Sequence, residues 1–261
     1  MAESQMYNYV EKINKFKPVI IEAYVQSIFE LSRFIKEKKL TVYSPQGIVT
    51  SAGTLYPEMK KEIEEVFQTK VYNRYGSREV GDIACSCDRD EGLHLNVFQH
   101  YVEILNDKLE PCDAGEIGKV YVTRLDNFSM PLIRYDIGDL AAVARDKKCT
   151  CGRGLPLIKN ILGRNNSIIR TKNGAIDSVA LSTSLYAYKS IQKYQFVQKR
   201  INYFVIKVII NNQNIWEKEK IKMENKLKKI LGEDAVVDIE VLKYINPLSS
   251  GKYQYIISEI I

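Results

Sequence analysis

Apolar residues recur along the first third of the chain with two alternating spacings, one typical of helices and one typical of strands. Pro57 begins one of the helical segments, at a position where the missing amide costs nothing. Such alternation predicts strands that pair in parallel and are covered by helices. The predicted helices are Tyr7–Lys17, Gln26–Lys38 and Pro57–Phe67, and the predicted strands are Val19–Ala23, Ile48–Thr50 and Val71–Arg74.

The pattern changes twice farther along the chain. From about residue 82 to 145, short strands broken by turns predict a β-rich subdomain. Beyond the Gly163-Arg164 turn, the order of strand, helix, two strands, helix and strand predicts a small α+β domain. The fold class is therefore α/β plus α+β: a partial large domain at residues 1–163, with a helix-covered sheet and the β-rich subdomain, and a small mobile domain at 164–261.

The small domain contains a Lys/Glu-rich segment, Ile215–Leu231, with helical periodicity. Ile221, Met223, Leu227 and Ile230 fall near one face of this predicted helix. That spacing predicts a surface helix packed on a small sheet.

Composition and charge exclude several classes of protein. The 261 residues are 45% hydrophobic, which is ample for a buried core, and they contain no run of 18 apolar residues. Residues Met1–Lys17 lack the continuous apolar stretch of a secretory signal, so we expect a cytoplasmic location and no membrane association. The net charge of +6 comes from Lys-rich helices interleaved with Glu, which argues against nucleic acid as a partner.

The cysteines are arranged as two Cys-x-Cys pairs and one isolated residue, Cys112. In a reducing compartment such pairs suggest metal ligands rather than disulfides. Four thiolates in two close pairs suit a tetrahedral Zn²⁺ site. The predicted ligands are Cys85, Cys87, Cys149 and Cys151; the alternatives are a Cys₃His site in which His94 replaces Cys85, or free buried thiols.

Four short segments combine residue types that suit nucleotide binding. Tyr75, Gly76 and Glu79 offer an aromatic plane, close backbone approach and a carboxylate for Mg²⁺, although an ordinary strand-to-loop transition explains them as well. A Gly-Arg pair at a domain boundary and a Lys on a flexible loop can contact anionic groups. The segments are Asn73–Glu79, Pro131–Leu140, Ile161–Ser167 and Pro247–Lys252.

In the second segment, Gly138 is expected to turn the chain, so that Asp139 sits at the mouth of a strand predicted at Leu140–Ala144. A carboxylate at such a place can accept both hydroxyls of a ribose. A tight hairpin capped by Asp is the competing interpretation.

Taken in order, Tyr-Gly-Ser-Arg-Glu, Arg-Tyr-Asp-x-Gly-Asp, Gly-Arg and Ser-Gly-Lys resemble the successive core motifs of the adenylate-forming enzymes. The resemblance is to the phenylacetate–coenzyme A ligase family and its relatives in capsular polysaccharide synthesis, from about Lys17 to Lys252. It implies an AMP-forming ligase that uses ATP and Mg²⁺ to join a small carboxylate, expected to be an aromatic acid, to coenzyme A.

Carried over residue by residue, the resemblance implies a nucleotide site. Tyr75 and Gly76 would lie against adenine, and Asp139 would bind the ribose hydroxyls. Arg164 would contact the nucleotide at a hinge. The implied cofactor contacts are Gly53, Tyr75, Gly76, Ser77, Asp139 and Arg164.

Two further residues are implied to act in the chemistry. Glu79 would help to hold Mg²⁺, and Lys252 would contact the acyl-phosphate oxygens during adenylation. A carboxylate attacks the α-phosphate of ATP and pyrophosphate leaves, so a cation and a metal suit the extra charge. A thiol then displaces AMP.

The sequence also departs from the family pattern. No Gly/Ser/Thr-rich loop for the β- and γ-phosphates occurs between Met1 and Tyr72, Gly53-Thr54 replaces the commoner Gly-Glu, and Asn166-Ser167 replaces an acidic pair. We therefore expect a truncated ligase that is inactive alone. The expected partner is a separate N-terminal half of a split ligase or a second copy of the chain; the alternative is a non-catalytic protein that binds a nucleotide or a partner.

Overall fold

The computed structural model describes residues 3–146, 148–164, 169–172, 174–176, 178–246 and 253–260, apart from the side chains of residues 164, 175 and 178–180. The chain folds into two compact units, Met1–Ile161 and Leu162–Ile261, called here the N-terminal and C-terminal units. Within the described residues, no helix has both the length and the apolar character needed to cross a membrane.

The N-terminal unit begins with alternating helices and strands and continues with strands. The predicted alternation is confirmed, and Pro57–Phe67 is a helix with the predicted ends. The elements are α1 (Glu3–Phe16), β1 (Ile20–Tyr24), α2 (Val25–Lys38), β2 (Gly47–Ser51), α3 (Pro57–Phe67), β3 (Val71–Ser77), β4 (Gly81–Ser86), β5 (Leu93–Leu95), β6 (His100–Leu105), β7 (Ile117–Arg124), β8 (Tyr135–Val143) and β9 (Leu157–Arg164), which begins in this unit and ends in the C-terminal unit.

These strands belong to one mixed sheet with the order β1-β2-β3-β4-β5-β9-β8-β7-β6. β1, β2 and β3 pair in parallel, with Ile48 of β2 opposite Ile21 on one side and Val71 on the other. β3 then pairs with β4 in the antiparallel sense. Because parallel strands end at the same edge of a sheet, the connections that follow β2 and β3 lie at one edge.

Helix α3 shows how the helical layer is held to its neighbours. Met59, Ile63 and Phe67 are spaced by four residues, so they share one face of the helix, and each is 1% exposed or less. Helix α3 contacts both α2 and β3. Burying one such side chain contributes about 1.5–3 kcal/mol.

The β-rich part of the sheet curls around a single core. Strands β4 and β7 are separated in the sheet by β5, β9 and β8, yet their side chains pack in the same cluster. The curl therefore brings the end of β3 close to the middle of β8. The buried members of the cluster are Tyr75, Val80, Ile83, Ala84, Leu93, Leu95, Val120, Val122, Ile137, Ala141 and Ile158.

The C-terminal unit contains a sheet with the order β14-β13-β12-β15 and a short hairpin, β10-β11. Strands β12 and β13 are antiparallel, whereas β14 and β15 each pair in parallel with their neighbour. Its elements are β10 (Ile169–Thr171), β11 (Gly174–Ile176), α4 (Ser178–Tyr186), β12 (Ile191–Arg200), β13 (Tyr203–Ile210), α5 (Gln213–Leu231), β14 (Val236–Val241) and β15 (Ile256–Ser258).

Helix α5 begins at an N-cap, Asn212, whose side-chain oxygen accepts the amide of Ile215 at 3.1 Å. Its buried face was predicted only in part. Met223 and Leu227 are buried, but Ile221 is 63% exposed. Ile221 precedes Met223 by two positions, which places it about 200° around the helix. The buried stripe is Trp216, Met223, Leu227 and Leu231.

Candidate functional site

Tyr75 on β3 and Asp139 on β8 meet inside the curl of the sheet. The Tyr75 hydroxyl donates a 3.0 Å hydrogen bond to Asp139 Oδ2, although 64 positions separate the two residues. The ring of Tyr75 is 8% exposed, and Asp139 is half-buried. The structure thus joins the first and second predicted motifs at one point.

Irregularities in the backbone of β3 and β8 set the directions of the Tyr75 and Asp139 side chains. In β3 the register shifts between Tyr75, which lies opposite Ala84, and Gly76, which lies opposite Asp82. In β8 the register against β7 shifts over residues 137–139, and Gly138 has a φ of 78°. β-Bulges of this kind redirect side chains and are common beside functional sites.

The expectation that Gly138 turns the chain and that Asp139 sits at the mouth of the following strand was wrong. Strand β8 runs without a break through both residues. The Asp136 carboxylate accepts the Gly138 amide at 2.9 Å, so the bulge accommodates the positive φ without ending the ladder. Asp139 therefore lies within β8, with strand residues before and after it.

Gly76 is required by the packing of the hairpin. A Cβ atom added there would lie 2.4 Å from the Gly81 carbonyl oxygen and 3.1 Å from Asp82 Cα. Both are backbone atoms that cannot move independently of β4. The glycine in the first motif thus has a structural reason that the sequence did not reveal.

The turn between β3 and β4 carries Glu79 and directly follows Ser77, the last residue of β3. The Ser77 hydroxyl accepts the Val80 amide at 3.4 Å, and the Glu79 side chain is exposed. Two side chains, one on β6 and one on β7, hold this turn in place by hydrogen bonds. The Val80 carbonyl accepts a hydrogen bond from His100 Nε2 at 2.7 Å and another from Arg124 Nη1 at 3.1 Å. Sequence reasoning missed His100 and Arg124 as supports, since neither lies in a motif.

Among Gly53, Arg164 and Lys252, only Gly53 is described in full. Gly53 follows β2 at the sheet edge where β3 also ends, and a Cβ there would make only ordinary contact, 3.5 Å from Val25 Cβ. Arg164 is the last residue of β9, and its side chain lies outside the described part. Lys252 lies outside the described residues.

Four potential metal ligands form a second constellation: Cys87, His94, Cys149 and Cys151. Their ligand atoms all lie within 4.8 Å of one another. Cys87 Sγ is 3.5 Å from Cys149 Sγ, and Cys151 Sγ is 3.4 Å from His94 Nε2. Cys87, Cys149 and His94 are each 6% exposed. The group has the composition of the Cys₃His alternative considered from the sequence.

This group differs from the predicted four-cysteine set, because among the described residues Cys85 is not part of it. Cys85 lies inside β4 opposite Arg74, whereas Cys87 follows the end of the strand. Burial raises the pKa of the Cys85 thiol, with Arg74 acting in the opposite direction.

The two cysteines after β8 have different electrostatic surroundings. The Arg153 backbone amide is the largest influence on Cys151, and together with the Arg153 side chain it lowers the pKa of that thiol to about 7. For Cys149 the Cys151 amide lowers the pKa, but burial and hydrogen bonding with the Cys151 and Cys87 side chains outweigh it and raise the pKa. Cys151 is thus the more readily ionised thiol of the pair.

Comparison with known sequences shows which proteins this chain is similar to. Residues 168–259 match the CapK C-terminal domain family. Over 257 residues, 97% of this chain and 55% of the relative, the sequence is 28% identical to Protein CapK of Staphylococcus aureus. It is also 26% identical over 198 residues, 72% of this chain, to 44% of the phenylacetate–coenzyme A ligase of Thermus thermophilus. The chain is homologous to both proteins. It spans about half the length of these curated relatives.

Solved acyl-CoA ligases share the fold. 2-Hydroxyisobutyryl-CoA ligase in the postadenylation state, in complex with R3-HIB-AMP, matches 99% of this chain and 58% of its own, with a TM-score of 0.83 and 18% identity. The anthranilate CoA ligase AuaEII, in complex with anthranoyl-AMP, matches 97% of this chain and 51% of its own, with a TM-score of 0.71 and 14% identity. The predicted fold class and the predicted resemblance to adenylate-forming ligases are confirmed.

Proposed function

We propose that this chain contributes the adenosine-binding part of an AMP-forming carboxylate–coenzyme A ligase. The observation that carries the proposal is the hydrogen bond between Tyr75 and Asp139, which unites two motifs from distant parts of the chain. A carboxylate can accept both hydroxyls of a ribose, and the Tyr75 donor holds this carboxylate in one orientation. The aromatic ring beside it offers an apolar surface for adenine.

The chemical class of the ligand follows from the relatives. Both solved ligases described above were captured with an acyl group joined to AMP, and the Thermus relative is a phenylacetate ligase. We therefore propose an acyl-adenylate as the bound intermediate, with a small carboxylic acid, aromatic by preference, and coenzyme A as the substrates.

The proposed reaction has two steps. A carboxylate oxygen of the acid attacks the α-phosphorus of ATP, and the bond to the β-phosphate oxygen breaks to release pyrophosphate. The sulfur of coenzyme A then attacks the acyl carbon, the thiol proton leaves, and AMP departs with the electron pair of the broken C–O bond. Donors and cations that face the developing phosphate charge lower the barrier.

Three residues outside the Tyr75–Asp139 pair are proposed to serve these steps. Glu79 lies on an exposed turn, and its carboxylate is an oxygen ligand of the kind that Mg²⁺ takes, so it would hold the ion that neutralises phosphate charge. By their place in the motifs, Arg164 would contact the nucleotide and Lys252 would approach the acyl-phosphate oxygens.

Calorimetric titration of AMP in the presence of Mg²⁺ tests the adenosine site. We expect Asp139→Ala to weaken binding at least about tenfold, which is about 1.4 kcal/mol. Asp113→Ala is the matched control, because Asp113 is an exposed aspartate in the connection between β6 and β7. Equal affinities for the Asp139→Ala variant and the unmodified chain, or binding to neither, would contradict the proposal.

A second titration separates a ligase from a nucleotide-binding regulator. An acyl sulfamate of adenosine mimics the acyl-adenylate and engages both the acyl and the nucleotide sites. With the rest of the relatives' length supplied by a second chain, a ligase should bind this intermediate analogue at least about 100-fold more tightly than AMP. Equal affinities for the analogue and for AMP in that assembly would support the regulator.

A further inference from the structure

The Cys87, His94, Cys149 and Cys151 cluster joins parts of the N-terminal unit that are far apart in sequence. Cys87 follows β4 and His94 lies within β5, whereas Cys149 and Cys151 lie between β8 and β9. Cys87 and Cys149 are 62 positions apart, yet their sulfur atoms are 3.5 Å apart. Any bond among these side chains would therefore link two separate segments of the fold.

The distances match a tetrahedral metal site. With Zn–S bonds of about 2.3 Å and Zn–N bonds of about 2.0 Å, neighbouring ligand atoms are separated by roughly 3.5–3.8 Å. The sulfur-to-sulfur distance of 3.5 Å and the Cys151 Sγ to His94 Nε2 distance of 3.4 Å lie close to this range. A disulfide needs about 2.05 Å between its sulfur atoms, and the cysteines are free thiols.

The backbone around the sulfurs has the form expected for thiolate ligands. The Arg89 amide points at Cys87 Sγ at 3.4 Å, and the Arg153 amide points at Cys151 Sγ at 3.5 Å. In both cases the donor lies two residues after the cysteine. Such amide donors favour the ionised thiol and orient it for a metal.

Hydrogen bonds beyond the ligands hold the two segments together. The Glu91 carboxylate accepts the Thr150 amide at 2.8 Å as well as the Thr150 hydroxyl. Lys159 Nζ donates to the Glu91 carbonyl at 3.3 Å. The turn after β4 is thus fixed against the turn that carries Cys149 and Cys151, so the four ligands are already assembled.

We propose that Cys87, His94, Cys149 and Cys151 bind one structural Zn²⁺ ion. Three sulfurs and one imidazole nitrogen complete a tetrahedral shell and leave no position for a substrate, which is the mark of a structural site. The ion would tie the β4–β5 hairpin to the β8–β9 connection and stabilise the curled sheet. This site is separate from the Mg²⁺ proposed at Glu79.

Metal analysis of the full chain, purified from zinc-supplemented cells under reducing conditions, tests the proposal. We expect about one zinc ion per chain that survives gel filtration. Replacement by Co²⁺ should give the intense visible bands of a tetrahedral site together with a thiolate-to-cobalt charge-transfer band. Chain that holds no zinc and gives no such spectrum with Co²⁺ would overturn the proposal.

Single substitutions test the ligand set. Cys151→Ser should weaken Co²⁺ binding at least about 100-fold, and because Cys151 is only half-buried its replacement disturbs packing little. Cys85→Ser is the matched control and should keep the spectrum and the affinity. Equal loss in both variants, or an unchanged Cys151→Ser variant, would overturn the assignment, as would a Cys87–Cys149 disulfide in zinc-replete protein kept under air.

Discussion

The Tyr75–Asp139 pair and the Cys87–His94–Cys149–Cys151 cluster are two polar constellations on the same curled sheet, and they are built in different ways. The first depends on bulges inside strands, where a shift of register aims each side chain. The second depends largely on turns beyond the ends of strands, where backbone amides surround the sulfurs. The comparison teaches that the first is sensitive to backbone shape, and the second to the identity of its ligands.

The largest effect expected from this comparison is on the cluster. Replacing Cys149 and Cys151 together by Ala should lower the unfolding free energy of the zinc-loaded chain by at least about 3 kcal/mol, because the binding energy of a structural ion is folding energy. The double variant Cys85→Ala/Cys112→Ala should lose about 1 kcal/mol or less. Urea denaturation of each variant, with and without a chelator, measures both values. Similar losses for the two double variants would remove the distinction.

A smaller loss of stability is expected from Gly76→Ala. The added Cβ would overlap the Gly81 carbonyl, and the hairpin must open to accept it, which costs about 2 kcal/mol. Gly154→Ala is a control, because within the described part of the chain no heavy atom lies within 4 Å of its added Cβ. Thermal denaturation of both variants measures the difference in stability. An unchanged melting temperature for Gly76→Ala would mean that the β3–β4 hairpin can shift to accept the added Cβ without loss of stability.

A still smaller effect, on affinity, is expected from Tyr75→Phe. The ring remains, but the hydrogen bond that orients Asp139 is lost, so AMP should bind roughly fivefold more weakly, in line with about 1 kcal/mol for one hydrogen bond. Tyr101→Phe, an exposed ring on β6, serves as the comparison in the same titration. A Tyr75→Phe variant that binds AMP as tightly as the unmodified chain would show that Asp139 is held by other contacts.

Gly53→Ala should have the smallest effect on the fold. Its Cβ meets Val25 at an ordinary contact distance, so stability should change by about 0.5 kcal/mol or less. A fall in AMP affinity at unchanged melting temperature would identify Gly53 as a ligand contact. Destabilisation equal to that of Gly76→Ala would mean that both glycines serve the fold.

Hydrophobic periodicity predicted the layered start of the fold because each element there has one buried face. Helix α3 is the clear case: its buried residues recur every four positions, and Pro57 marks its beginning. The parallel pairing of β1, β2 and β3 followed from the alternation of helices and strands. These properties are local, so the sequence carries them.

The motifs predicted Tyr75 and Asp139 as site residues but not their contact, because it depends on bulges set by pairing with neighbouring strands. The cysteine spacing led to the same difficulty. Cys-x-Cys suggested that Cys85 and Cys87 act together, but the end of β4 falls between them, and His94 on the next strand joins the cluster instead. Strand ends and register arise from tertiary pairing, which sequence spacing does not encode.

The Val80 carbonyl accepts donors from both His100 and Arg124, residues that pair with each other across β6 and β7. The turn between β3 and β4, which carries Glu79, is therefore already ordered in the folded chain. The loss of conformational entropy that a loose loop would suffer on closing around a ligand then occurs during folding, and it does not weaken ligand binding. Association at this turn should be limited by encounter rather than by loop rearrangement.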